Sequence, residues 1–427
     1  MGTAERIKNV AALVTKEPSR TLTVLSAMSG TTNTLLEIGS FLRKDDRAQA
    51  HAIIDSLQRK YRDVVENLYS KDAYRQEAKK IVDGFFSELY NLAEEKYTEA
   101  TEKEIVAFGE LISTNLMHQY LLETGHNAVL LAALEYMKKD EHGEPDFDFI
   151  SEKLNELLSD NQDCNLFITQ GYICLNSDMK TDNLDRGGSD YTASIIGGVL
   201  RAEEVQIWTD IDGMHNNDPR FVEETSPVHN LHFEEAAELA YFGAKILHPT
   251  CIQPAKQNNV PVRLLNTMEP DAEGTLINNQ LEHGSIKAVA AKDGITAIKI
   301  KSSRMLLAYG FLKKVFEIFE KFETPIDMIA TSEVGVSLTI DNDAKLDEIV
   351  AELEQLGTVT VDKDMVIICV VGDLEWKNRG FEAKALDALR NVPVRMISYG
   401  GSNYNVSFLI RKEDKTKALR LLSYHLF

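Results

Sequence analysis

Apolar positions along the chain fall into two alternating rhythms. Residues 4 to 17 repeat at helical spacing, and "TLTVLSAMSG" (21–30) is a β-branched, apolar run that passes into a loop of small residues. That reads as helix, buried strand, loop. From about 33 to 99 the apolar residues keep a helical period among charges spaced at i, i+4, as in "SKDAYRQEAKKIVDGFFSELYNLAEE", which predicts solvated helix faces. "TEKEIVAFGELISTNLMHQYLLETG" predicts a helix opened by a Thr101/Glu104 capping box and closed at Gly125, with Glu110, Ser113, Thr114 and Met117 on one face. Short strands are expected at 127–131, 165–169 and 204–209, with helical patterns between several of them. Such alternation predicts a mostly parallel sheet with helices on both faces, a three-layer α/β/α arrangement.

After about residue 281 the texture changes. "GFLKKVFEIFEKFETPIDMIATSEVGVSLTI" from Gly310 and "GFEAKALDALRNVPVRMISYGGSNYNVSFLI" from Gly380 share one order: helix, Pro-bearing turn, strand, short loop, strand. A duplicated α+β unit is the simplest source of that repeat, and two copies could pair their sheets.

Length and composition narrow the class. At 427 residues two or three domains are expected, and 44% hydrophobic with 26% charged residues is a globular composition. No apolar run approaches the roughly 20 residues of a membrane span, and no secretory signal is visible, so a cytoplasmic protein is expected. Cys164, Cys174, Cys251 and Cys369 lie far apart without ligand spacing, which predicts reduced core thiols and no metal site. The formal net charge of −21 repels nucleic acid, so an anionic ligand needs a local niche of Arg, Lys or backbone N–H groups.

Four stretches offer such chemistry. In "LDRGGSDYTASIIGGVL" (184–200), Gly187 and Gly188 free the backbone and Ser189 or Asp190 can cap a helix starting near Tyr191. Arg186 could clamp a carboxylate or phosphate while Asp190 accepts from an ammonium, a pairing suited to an amino acid; a capped loop with a surface ion pair is the plainer alternative. "VQIWTDIDGMHNNDPR" (205–220) is a buried strand ending at Thr209, then a polar loop, well placed for a ligand or merely solvated. Its aspartates do not make a calcium loop, because Gly213 directly follows Asp212 and the loop follows a strand. In "FEEAAELAYFGAKILHPTCI" (233–252), a helix stops at Gly243, and Lys245 either reaches a phosphate or snorkels to solvent; His248 before Pro249 reads as a turn residue. "LSAMSGTTN" (25–33) gathers Ser26, Ser29, Thr31 and Thr32 after a strand without the lysine of a P-loop.

Taken in order, "LSAMSGTTN", "FGELIST", "LDRGGSDYTA", "WTDIDG", "NNDPR", "FGAKILHP" and "GFLKKVFEIFEKF…TSEVGVSLT" resemble the aspartate kinases, the monofunctional type with two C-terminal ACT domains. The resemblance implies an amino-acid-kinase sandwich over 1–280 and tandem ACT domains over 281–427, divided near 360/361 or interleaved. It implies transfer of the ATP γ-phosphoryl, with Mg²⁺, to the side-chain carboxylate of L-aspartate, giving 4-phospho-L-aspartate for lysine, threonine and methionine synthesis. By position in these motifs, Ser26, Thr32, Glu110, Arg186 and Asp190 would hold aspartate. Thr209, Asp210, Arg220 and Lys245, with the backbone of Ile246, would hold the nucleotide, and His215 stands where relatives often place an aromatic residue against adenosine. Arg186, Asp190 and Lys245 would carry most of the catalytic charge management. Met305, Phe311, Leu312, Ile326, Thr331, Ser332 and Glu333 match an effector pocket, with lysine the expected effector and a homodimer or homotetramer through the ACT domains the expected assembly. Members of that family also carry a "KFGGTS"-like loop that grips the transferred phosphate. No Lys-Gly-Gly pattern occurs in these 427 residues, so a start assigned too late is expected, with a catalytically impaired amino-acid sensor as the alternative. Loss of such a charge contact costs ~10² to 10³ in rate.

Overall fold

The structure is a computed structural model that describes residues 2–16, 19–184, 187–243, 248–302 and 309–427. Two compact units emerge from residue contacts, Met1–Ile207 with Thr250–Val262, and Trp208–Pro249 with Arg263–Phe427. Residues 208–249 and 263–280 group with the C-terminal repeats.

In the first unit, α1 (Ala4–Val14) starts at Thr3, whose hydroxyl accepts the Arg6 amide. Next come β1 (Thr21–Leu25), α2 (Thr31–Arg43), α3 (Arg47–Leu68), α4 (Asp72–Glu94) and α5 (Glu99–Glu123). α3 buries Ile54, Leu57, Tyr61 and Val65, and α4 buries Val82, Phe86 and Leu89, single stripes three or four residues apart as amphipathic helices require. α5 is buried nearly all round, from Ile105 through Glu110 to Leu121, so it is the helix through the core. Its cap differs from expectation. Thr98, not Thr101, accepts the first orphan amide, that of Thr101 at 3.1 Å, and the acids Glu99 and Glu102 then fall in the first turn, where the helix dipole favours them.

β2 (Ala128–Leu131), α6 (Ala133–Tyr136), α7 (Phe147–Ser159), β3 (Leu166–Gln170), β4 (Ile173–Leu175), β5 (Thr181–Asn183) and α8 (Gly188–Leu200) continue the unit. β1, β3 and β2 form a parallel sheet in that order, with Leu25 opposite Gln170 and Leu131 opposite Thr169. All five residues of the central β3 are buried, as a strand covered on both faces must be.

β6 (Val205–Thr209) leads into the second unit, followed by β7 (Asn230–His232) and α9 (Phe233–Tyr241). The chain revisits the first unit in α10 (Gln253–Gln257), then returns through β8 (Val262–Asn266) and β9 (Thr275–Asn278). These strands lie in the order β6-β8-β9-β7, with β7 and β9 parallel. The remainder is β10 (Ile286–Lys301), α11 (Phe311–Lys321), β11 (Ile329–Ser332), β12 (Gly335–Ile340), α12 (Leu346–Leu353), β13 (Thr358–Gly372), α13 (Phe381–Ala388), β14 (Met396–Ser398), β15 (Asn405–Arg411) and α14 (Lys415–Leu426). The repeats do pair their sheets, into one antiparallel sheet β11-β12-β10-β13-β15-β14. The long strands β10 and β13 serve both copies. Ile298 and Ile300 of β10 join a core with Phe311, Val315 and Leu338, whereas Val289 of the same strand joins one with Phe381, Phe408 and Leu419. The register slips between Lys292 and Ile295, where one half of β10 gives way to the other.

Candidate active site

Four segments of the first unit converge at the carboxyl ends of β1 and β3. The Ser26 hydroxyl, just past β1, donates to Ser189 Oγ in the first turn of α8 at 2.8 Å, and Ser113 of α5 donates to the Ser26 carbonyl at 2.9 Å. The Ala27 amide donates to Glu110 Oε1 at 3.1 Å. Glu110 is 3% exposed and its second carboxylate oxygen has no hydrogen-bond partner among the described residues. Burial lifts the Glu110 pKa to about 7, against the pull of the Ala27 amide. Burial likewise lifts Asp190, in the same α8 turn as Ser189, to about 6. Thr32 sits in the first turn of α2.

The expected cap at Ser189 or Asp190 is a correction. Gly187, at φ 76°, is the N-cap, and α8 starts at Gly188 rather than near Tyr191. A left-handed glycine turns the chain two residues before Ser189 and contributes no side chain, so the Ser189 hydroxyl is left to meet Ser26. Two further residues make this approach possible and were not singled out from the sequence. A Cβ on Gly171, directly after β3, would lie 2.2 Å from Ser189 Oγ and 2.7 Å from its Cα, so only glycine lets α8 come this close. Gln170, 1% exposed, accepts the Ala133 amide at 2.7 Å and donates to Thr114 Oγ1 at 2.8 Å, and Thr114 in turn donates to the Glu110 carbonyl at 2.8 Å. The signal in the sequence was a glutamine closing the short buried strand "LFITQ". Arg186 lies outside the described residues.

The second unit carries the other group. Thr209 closes β6, its hydroxyl accepting the Ile211 amide at 3.0 Å while its carbonyl accepts from Thr267. Asp210 follows, exposed. His215 is braced at both ring nitrogens, Nδ1 2.8 Å from Thr225 Oγ1 and Nε2 3.0 Å from Asp212 Oδ1. Arg220 is 71% exposed and forks onto Asp218, with Nη2 2.6 Å from Oδ2 and Nε 2.9 Å from Oδ1. Burial raises the Asp218 carboxyl, but the bonds from Arg220 outweigh it and leave the pKa below the usual range. Lys245 and Ile246 lie outside the described residues.

Of the expected effector residues, Phe311 begins α11 inside the first copy's core, Leu312 is exposed beside it, and Thr331, Ser332 and Glu333 are exposed at the β11–β12 hairpin. Met305 lies outside the described residues. Next to Ile326 the structure adds Asp327, a nearly buried carboxylate that accepts from Tyr241 Oη at 2.8 Å and from Lys292 Nζ at 2.7 Å.

A profile of the Amino acid kinase family matches residues 1–266, and one of the ACT domain matches 368–426. Lysine-sensitive aspartokinase 3 of Escherichia coli (strain K12) is 32% identical over 427 aligned residues, covering 97% of this chain and 94% of that protein. The chain belongs to the aspartokinases. Aspartokinase 3, chloroplastic, of Arabidopsis thaliana is 33% identical across 99% of this chain and 79% of its own. The crystal structure of E. coli aspartokinase III in complex with aspartate and ADP matches with a TM-score of 0.83 at 31% identity, covering 100% of this chain and 97% of that one. As an aspartokinase the chain is a phosphotransferase with a carboxyl acceptor, built from the amino-acid-kinase fold and ACT repeats. Among the described residues no helix is long and apolar enough to cross a membrane.

Proposed function

We propose that this aspartokinase transfers the γ-phosphoryl of MgATP to the side-chain carboxylate of L-aspartate, with lysine as feedback inhibitor. The observation that carries the aspartate assignment is the contact of Ser26 with Ser189 beside a buried Glu110 whose second carboxylate oxygen has no hydrogen-bond partner among the described residues. A carboxylate so placed suits the substrate ammonium, and the α8 N-terminus with Ser26, Thr32 and Arg186 suits a carboxylate. Asp190 would hold the substrate's positive end with Glu110. A side-chain carboxylate oxygen of aspartate then attacks the γ-phosphorus as its bond to the β,γ-bridging oxygen breaks, and the electron pair leaves on ADP. The nucleophile is already anionic, so no general base is required, and the protein's task is positioning and charge neutralisation. Thr209, Asp210, Arg220, Lys245 and Ile246 would hold the nucleotide, with His215 against its base. Mg²⁺ would arrive with the nucleotide and would offset the charge of its phosphates.

The ACT repeats would bind lysine at Phe311, Leu312, Ile326, Thr331, Ser332 and Glu333 with Met305, in a homodimer or homotetramer of a cytoplasmic enzyme. That reading draws support from the lysine sensitivity named for the E. coli relative. The kinase portion would run to about residue 280 and the ACT pair from 281. Calorimetry with L-aspartate and MgADP, alongside a coupled ADP-release assay, tests the reading. Arg186→Ala should weaken L-aspartate about 10- to 100-fold and spare MgADP; the reverse pattern would overturn the role given to Arg186. Ligand binding without turnover would favour the sensor alternative.

A further inference from the structure

Residues 216–222, "NNDPRFV", are fastened to the C-terminal ACT repeat at both ends, through Asn216 and Asn217 and through Phe221 and Val222, and Pro219 and Arg220 between them are left in solvent. The Asn216 carbonyl accepts the Val289 amide of β10 at 2.8 Å. Asn217 is 3% exposed; its side-chain amide donates to the Leu419 carbonyl in α14 at 3.0 Å, while its Oδ1 accepts the Asp218 amide at 2.8 Å. The Phe221 carbonyl accepts from Arg420 Nε at 3.2 Å, and Lys415 Nζ lies 4.2 Å from the centre of the Phe221 ring. Val222 is buried in one core with Leu419, Leu422 and Phe408.

We infer that α14 of the second ACT repeat is a structural part of the nucleotide site, and that Asn217 is the positioning residue through which it sets the Arg220 arm. The inference rests on the proposal that Arg220 contacts the nucleotide. A loop offers a cation to a phosphate only if ordering it costs little on binding. Here α14 adds its order to that of the loop's own turn, in which the Asp218 carbonyl accepts the Phe221 and Val222 amides at 3.0 and 3.1 Å. Leu419 lies mid-helix, where its carbonyl already accepts the i+4 amide. Asn217 takes the second lone pair, so the loop follows the helix without unwinding it. By reciprocity, whatever moves α14 alters nucleotide affinity, and nucleotide should in turn steady α14.

The test uses the full chain, with MgADP and L-aspartate titrated separately by calorimetry. Asn217→Ala should weaken MgADP about tenfold and leave L-aspartate within about twofold, and Arg420→Ala, at an exposed position, should weaken MgADP about two- to threefold. In the wild type, MgADP should slow amide exchange across 415–426. Unchanged MgADP affinity in folded variants, or an equal loss for both ligands, overturns the inference. If Asn217→Ala does not fold, Arg420→Ala and the exchange experiment decide it. A wild type that binds L-aspartate but no MgADP overturns the nucleotide reading itself, and this inference with it.

Discussion

Glu110 is the residue whose physics is most exposed to test. Its pKa of about 7 in the ligand-free protein means that it is largely protonated at pH 6 and largely ionised at pH 8. Only the ionised form attracts an ammonium group, so the Kd for L-aspartate should fall about tenfold between those pH values, and Glu110→Gln should flatten the profile. The effect on folding has the opposite sense. The folded protein holds this proton more tightly than the unfolded chain, so the stability it contributes is complete below pH 4.5 and is lost as the pH rises towards 7. Glu110→Gln removes that loss and should stabilise the ligand-free protein at pH 8 by up to about 3 kcal/mol, with no gain near pH 4. Parallel melting curves across that range would sink this account of Glu110. The sequence placed Glu110 on a helix face with Ser113 and Thr114, but not its burial, because a polar face reads as solvated whereas α5 is buried nearly all round.

At the level of elements, the site depends on two close approaches. Gly171→Ala puts a methyl group against the Ser189 backbone, so α8 must move back from β3. Overpacking of this kind costs about 1–3 kcal/mol, and the displacement should also weaken L-aspartate at least tenfold, both measurable by melting and calorimetry. A stability loss with unchanged aspartate affinity would show that the Ser26–Ser189 contact is dispensable. Thr98→Ala should lower stability by about 1 kcal/mol through the α5 cap, whereas removal of the Thr101 hydroxyl should not act through capping. The strands and helices themselves were legible, since β3 reads as a short buried run and α3 carries a helical period in the sequence. Caps were less so: Thr98 and Thr101, or Gly187 and Ser189, are neighbouring residues of equal local fitness, and the choice falls to the chain's path into the core.

For the whole molecule, the contact grouping of residues 208–249 with the ACT repeats bears on regulation. The Arg220 loop leans on α14, and Tyr241 at the end of α9 donates to Asp327 beside Ile326, so this loop and α9 both touch the repeats within one unit. Added lysine at about 100 times its Kd should stabilise the folded chain by about 2.7 kcal/mol, and it should inhibit turnover. An unmoved melting curve in millimolar lysine would remove lysine as the effector. The pairing of the repeats was foreseeable from their common pattern. The sharing of β10 and β13 was not, because a long strand reads the same whether it serves one sheet or two.

The sequence alone carried the order of elements, the duplication, and the motif residues, because apolar period and residue chemistry are local properties. Tertiary structure alone decided that Gly171 admits α8, that Glu110 is buried against the Ala27 amide, and that Asn217 reaches α14. Each of these joins segments tens to hundreds of residues apart, and contact between distant segments is fixed by packing, which no local pattern encodes.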